Sequence, residues 1–132
     1  MTRRIRSDDG MVTVWSVVMV LACMSIVGLV LDGGVILRAR SSAFDIAAES
    51  ARAGAQELDQ DALADGRIVV DASAAHERIA AYLAAHDVNG DITITAETVT
   101  VTVHRQVGLQ ILQPATVDVH QTATVRAHKG RP

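Results

Sequence analysis

Apolar and polar residues follow three different rules along this chain. From Met11 to Leu31 (MVTVWSVVMVLACMSIVGLVL) no position is charged. As a helix this run is about 30 Å long, the thickness of a bilayer hydrocarbon core. Thr13, Ser16 and Ser25 can bond back to the carbonyls of their own helix, so they are compatible with lipid. The pattern predicts a transmembrane helix over 11–31, with Asp32-Gly33-Gly34 marking its exit.

The second rule is a four-residue period. Ala39, Ala43, Ala47, Ala51 and Ala55 recur at that spacing, with Ile36, Gly54 and Leu58 close to the same face. Arg38, Arg40, Asp45, Glu49, Arg52 and Glu57 fall mostly elsewhere, which predicts a helix over about 35–58. A row of alanines is an i±4n ridge that lets another backbone come close. Ala39, Ala43, Ala47, Ala51, Gly54 and Ala55 are thus a candidate helix-packing interface. The ridge packs either on the protein's own sheet or, in part, on a neighbouring subunit's helix.

The third rule is strict alternation. Ile92 and Ile94, then Val99, Val101 and Val103, then Val117, Val119, Ala123 and Val125 alternate with Thr, His, Asp and Arg. Strands are expected over about 91–96, 98–106 and 116–127, with Glu97 at a hairpin tip. They form an antiparallel sheet covered on one face only. Between the helical and alternating regions, Asp59-Gln60-Asp61 and Asp65-Gly66 read as a loop. Arg67–Val70 reads as a short strand. Asp71 is an N-cap for a helix over about 72–86 with Ala75, Ile79, Tyr82 and Leu83 on its apolar face, followed by an Asn89-Gly90 turn. The Val107–Ala115 connection is apolar for a loop (Leu109, Ile111, Leu112) and contains Pro114. It docks on the long helix, lies at the membrane surface, or meets a partner. The expected fold class is α+β: a long N-terminal helix, half in lipid, with one short helix and a small antiparallel sheet on its outer half.

Composition narrows the function. A length of 132 residues allows one domain beside the anchor. The net charge of −3 gives no reason to expect nucleic acid. One Trp, one Tyr and one Phe are too few rings for a ligand pocket or a base-stacking platform. Cys23 is the single cysteine, so no intramolecular disulfide can form. Arg3, Arg4 and Arg6 precede the apolar run, and by the positive-inside rule residues 1–10 are expected in the cytoplasm and 32–132 outside it. Asp8 and Asp9 count little in that rule, although Arg38 and Arg40 follow the helix.

Three processing signals overlap the N-terminal third. Val20-Leu21-Ala22-Cys23 approaches a lipoprotein cleavage box, but apolar or small residues continue from Met24 to Leu31 where a lipoprotein would turn polar. Arg3-Arg4 suggests twin-arginine export, for which the core is too long and apolar. Gly10 stands just before the run, where prepilin-type peptidases cut, so Gly10 and Met11 are a candidate cleavage site, against a plain helix-entry glycine.

Candidate chemistry is sparse. Asp59, Asp61 and Asp65 lack the ligand spacing and distal glutamate of an EF-hand loop. His76 and His86 share no clean helix face, and His128 is in the tail. His104 and His120 fall on the polar faces of neighbouring strands, without a carboxylate or cysteine evident to complete a set. No nucleophile has a base at a recognisable spacing, and no glycine-rich loop follows a strand. No catalytic, cofactor or metal residues are assigned, and no enzyme activity is expected.

The order basic N-terminus, Gly10, apolar run, Asp32-Gly33-Gly34, Arg38-Ala39-Arg40, Ala47-Ala48 and Ala51-Arg52-Ala53-Gly54-Ala55 resembles the TadE/TadG-like proteins of the Tad (Flp, tight-adherence) pilus machinery, over about residues 9 to 58. The resemblance implies a pseudopilin-like membrane protein with a pilin-like layout and an extracytoplasmic domain, partnered by lipid and by other pilin-like subunits. Trp15 stands where prepilin-processed members carry glutamate, and the chain is too short for the adhesion-like domain of large TadG-type members. Two functions follow as expectations: a structural or assembly subunit of a Tad-type pilus or related secretion apparatus, or a membrane-anchored binding or sensor module for a cell-wall or protein partner.

Overall fold

The computed structural model describes residues 8–111 and 115–128. Arg3, Arg4 and Arg6, and Leu112 and Pro114 of the apolar connection, lie outside the described residues. The apolar run and the alanine row form one unbroken helix, α1 (Asp8–Ala55). It passes through Gly33-Gly34 because neither residue is asked for a non-helical backbone, and it contains a stretch long and apolar enough to cross a membrane. From Met11 to Leu31 its large side chains are exposed within the chain, Leu29 by 69 % and Met19 by 48 %. Among the described residues Ile111 touches this surface at Gly28 and most of it is left bare, as suits a helix solvated by lipid.

The chain then forms α2 (Gln60–Ala64), α3 (Ala72–Ala85), β1 (Asn89–Ile94), β2 (Thr98–Gly108) and β3 (Thr116–Arg126). The strands make an antiparallel sheet in the order β1-β2-β3, with Val101 opposite Ala123 and Ile92 opposite Val101. The α+β class is therefore as expected. Helices α1 and α3 cover one face of the sheet. Between the layers lie Ala43, Ala47 and Ala51 of α1, Ala75 and Ile79 of α3, and Val99, Val101, Val103 and Val119 of the strands. Every one of these is essentially inaccessible to solvent.

The structure differs from the expected elements in four places. The aspartate-rich segment is not a plain loop. Asp59 Oδ1 accepts the amides of Asp61 (2.9 Å) and Ala62 (3.0 Å) and so starts α2, since the residues that favour loops are also those that cap helices. Arg67–Val70 forms no strand, only a single antiparallel bridge from Val70 to Leu58. The turn after α3 lies at Asp87, which takes a left-handed conformation (φ 52°), and not at Asn89-Gly90, which opens β1. Gly90 serves closeness instead, because a Cβ there would sit 2.7 Å from the Thr102 carbonyl oxygen. Helix α1 also ends at Ala55, short of residue 58.

Asp71 caps α3 as expected, its Oδ1 accepting the amides of Ser73 (3.0 Å) and Ala74 (3.1 Å). Asp71→Ala is expected to destabilise the domain by about 1 kcal/mol, read as a lowered thermal midpoint in circular dichroism, with Asp71→Ser restoring most of it.

Candidate functional site

Helix α1 holds the candidate packing residues read from the sequence, and its faces are put to different uses. The ridge face is filled from within. Ala43, Ala47, Ala51 and Ala55 pack against the protein's own sheet and α3, with Ala39 partly buried at the margin. Gly54 sets the closest approach. A Cβ there would stand 2.5 Å from Ile79 Cδ1 and 2.8 Å from Ile79 Cγ1, so an alanine would push the Ile79 side chain of α3 away from α1, while Val99 Cγ1 at 3.5 Å would be in ordinary contact. The small residues read from the sequence are brought together, and what they admit in this fold is the chain's own β-layer. Ser50, fully buried beside them, turns its hydroxyl back to the Ala47 carbonyl (3.0 Å) and so brings no unsatisfied group into the core.

The β2–β3 hairpin lies along α1 and reaches back toward the apolar run. Val99 meets α1 at Gly54, whereas Ile111 meets it at Gly28, with Ile111 Cγ2 3.0 Å from where a Cβ would be. Twenty-six helical residues and twelve extended ones both span about 40 Å, so the two elements stay in register over that length. The hairpin end is held by Asp32. This carboxylate is 3 % exposed, and its Oδ1 accepts the amides of Gln110 (3.0 Å) and Ile111 (3.2 Å). Of the three destinations open to the apolar connection, docking on the long helix is the one seen for Leu109–Ile111. A second tie sits further along, where Arg105 Nη1 donates to Ser42 Oγ (3.2 Å) from the helix-facing side of β2. Sequence reasoning took Asp32 only as a helix-exit marker. The available signal was an aspartate directly after an uncharged 21-residue run, where an ionised group needs a partner.

The family comparison falls on this helix. Residues 10–57 match the family model described as "Putative Flp pilus-assembly TadE/G-like". The N-terminal segment is TadE/G-like. No curated protein and no solved structure matches the chain. The TadE/G-like segment thus coincides with α1 and the first residues beyond it, and includes Asp32, the alanine row and Gly54. The three strands lie outside the match.

The candidate cleavage pair, Gly10 and Met11, lies in the first turns of α1, and among the described residues nothing outside the helix's own backbone stands within 4 Å of where a Gly10 Cβ would be. On the sheet's outer face, threonines pair across β2 and β3 (Thr100 with Thr124 and Thr102 with Thr122, both 2.9 Å), and His104 faces His120 at the end of that ladder. His76, His86 and His128 are exposed. Among the described residues, no ready-made cluster of three or more His, Cys, Asp or Glu side chains is poised to hold a metal ion.

Proposed function

We propose that this protein is a non-enzymatic, membrane-anchored structural or assembly subunit of a Tad-type (Flp) pilus or related secretion apparatus. Its helix α1 inserts once, with residues 1–10 cytoplasmic and the α+β domain outside. The observation that carries the reading is the TadE/G-like match lying on a helix whose apolar portion is left bare by its own fold. The arginines before the run and the polar sheet after it support the orientation.

Because the alanine row is filled from within, association with other pilin-like subunits uses the opposite face of α1. Leu37 (70 % exposed) and Phe44 (48 % exposed) stand there, seven residues apart and therefore on one side of the helix. They continue the apolar surface past Leu31 into the extramembrane half, with Gly34 and Ser41 offering small neighbours for a second helix. Burying both side chains at a contact is worth about 3–6 kcal/mol before association costs.

Leu37→Glu/Phe44→Glu is expected to abolish detergent-resistant co-purification with pilin-like subunits of the same apparatus while leaving the domain's melting temperature nearly unchanged. Co-purification that survives in a folded double variant would remove this face from the assembly reading.

A further inference from the structure

We infer that His104 and His120 form a two-imidazole binding site for a divalent transition-metal ion on the outer face of the sheet. The two residues are direct cross-strand partners in the β2–β3 register. Their rings meet edge to face, and the two Nδ1 atoms are 2.6 Å apart. The carboxylate that the sequence did not reveal comes from β1, where Asp91 Oδ2 lies 2.8 Å from His104 Nε2.

A carboxylate can only accept, so Asp91 holds the His104 proton on Nε2 and leaves Nδ1 as a bare lone pair aimed at His120. This carboxylate–histidine arrangement is the one that orients metal-ligating imidazoles and raises their basicity. The gap between the nitrogens now holds the single proton that His120 Nδ1 donates. A metal ion takes that proton's place. His120 moves its proton through solvent to Nε2, so that both Nδ1 lone pairs face the ion and no net proton is lost. At metal–nitrogen distances of about 2.0–2.1 Å the two nitrogens separate to about 3.3 Å, a small rotation of two partly exposed rings.

The remaining positions are filled by water, and Asp118 lends negative charge from the rim of the same groove. Asp118 precedes His120 by two residues on the same face of β3 and borders the same open groove of about 700 Å³ as the histidine pair and Gln106. Neutral imidazole with water suits Cu(II), Ni(II) or Zn(II), with Cu(II) the tightest. Most of the rest of that face is threonine hydroxyls (Thr93, Thr100, Thr102, Thr122, Thr124), which do not compete for such ions.

The test is titration of the full-length protein in detergent micelles with Cu(II), Ni(II) and Zn(II), read by calorimetry, with Cu(II) electron paramagnetic resonance to count coordinated nitrogens. One ion per chain is expected, with two imidazole nitrogens on copper and Cu(II) the tightest of the three. His104→Ala and His120→Ala should each weaken binding at least about tenfold, and Asp91→Asn should weaken it about tenfold through the imidazole it orients. Circular dichroism of each variant checks the fold, and His120→Gln replaces any variant that melts early. Ni(II)-induced loss of histidine ¹⁵N signals should be confined to His104 and His120. Unchanged affinity in the folded histidine variants, or signal loss at His76, His86 or His128 instead, would overturn the proposal.

Discussion

Ala47→Leu/Ala51→Leu is expected to unfold the α+β domain while leaving the apolar 11–31 part of α1 helical. Both alanines are fully buried, one turn apart, against Val99, Val101, Val103 and Ile79. Each leucine adds three carbons to a position with no spare volume, and the side chains cannot turn outward because their Cα–Cβ bonds point at the sheet. Overpacking costs typically about 1–3 kcal/mol per site, and two adjacent sites share the same neighbours, so their effects compound rather than average. The alternative to strain is separation of α1 from the hairpin, which exposes the valines of β2 and β3 to water. Against a total stability of about 5–15 kcal/mol for an ordinary domain, either route removes a large fraction. Thermal melting followed by the β-sheet signal, with limited proteolysis between residues 59 and 128, reads the loss. Leu37→Ala, at an exposed site on the same helix, should stay within about 0.5 kcal/mol of the parent. A double variant that melts with the parent would show that the ridge is not a close-packed surface. The same variant cannot be used to probe subunit association, since loss of a partner would only report loss of the domain.

Period and spacing made most of this architecture legible. The 21-residue uncharged run, the four-residue alanine period and the two-residue alternation of Val with Thr each allow one kind of element, because side-chain direction follows directly from backbone geometry. Asp71 was readable as a cap because a helix start needs a local acceptor. Asp59 was equally qualified, yet its neighbours Gln60 and Asp61 resemble a loop as much as a first turn, and local composition does not separate the two. The tertiary contacts stayed out of reach for a different reason. Asp32 and Gln110 are 78 residues apart, and Asp91 meets His104 only because the β1–β2 register sets Asn89 opposite His104. The alanine row illustrates the limit best: its small size announces a close approach, but the identity of the approaching element depends on hairpin length and on Gly54, which no periodicity encodes.

Asp32→Ala is expected to free the end of the β2–β3 hairpin from α1 and to lower the domain's stability by about 2–4 kcal/mol. The carboxylate is almost wholly buried and accepts two backbone amides from one oxygen. Hydrogen bonds to a charged acceptor contribute about 1.5–3 kcal/mol each, and the alanine variant also strands the Gln110 and Ile111 amides beside an apolar helix surface. Asp32 follows Leu31 directly, so those amides have less access to replacement water than they would on a free surface. The Ile111 contact at Gly28 then loses its anchor, since Ile111 itself is 57 % exposed and held mainly from its own backbone. Asp32→Asn keeps an acceptor oxygen but not the charge, and should fall between the parent and the alanine variant. Amide hydrogen exchange at Gln110 and Ile111 reports the clasp directly. Exchange should accelerate strongly in Asp32→Ala and moderately in Asp32→Asn, while the amides of Val101 and Val103 in mid-strand stay protected. Equal protection at Gln110 and Ile111 in all three proteins would mean that the loop is held by its own closure, the Leu109 amide to the Ala115 carbonyl (3.0 Å), and not by the helix. With the clasp intact, the TadE/G-like helix presents its bare apolar surface and its Leu37–Phe44 face at a fixed angle to the β-layer.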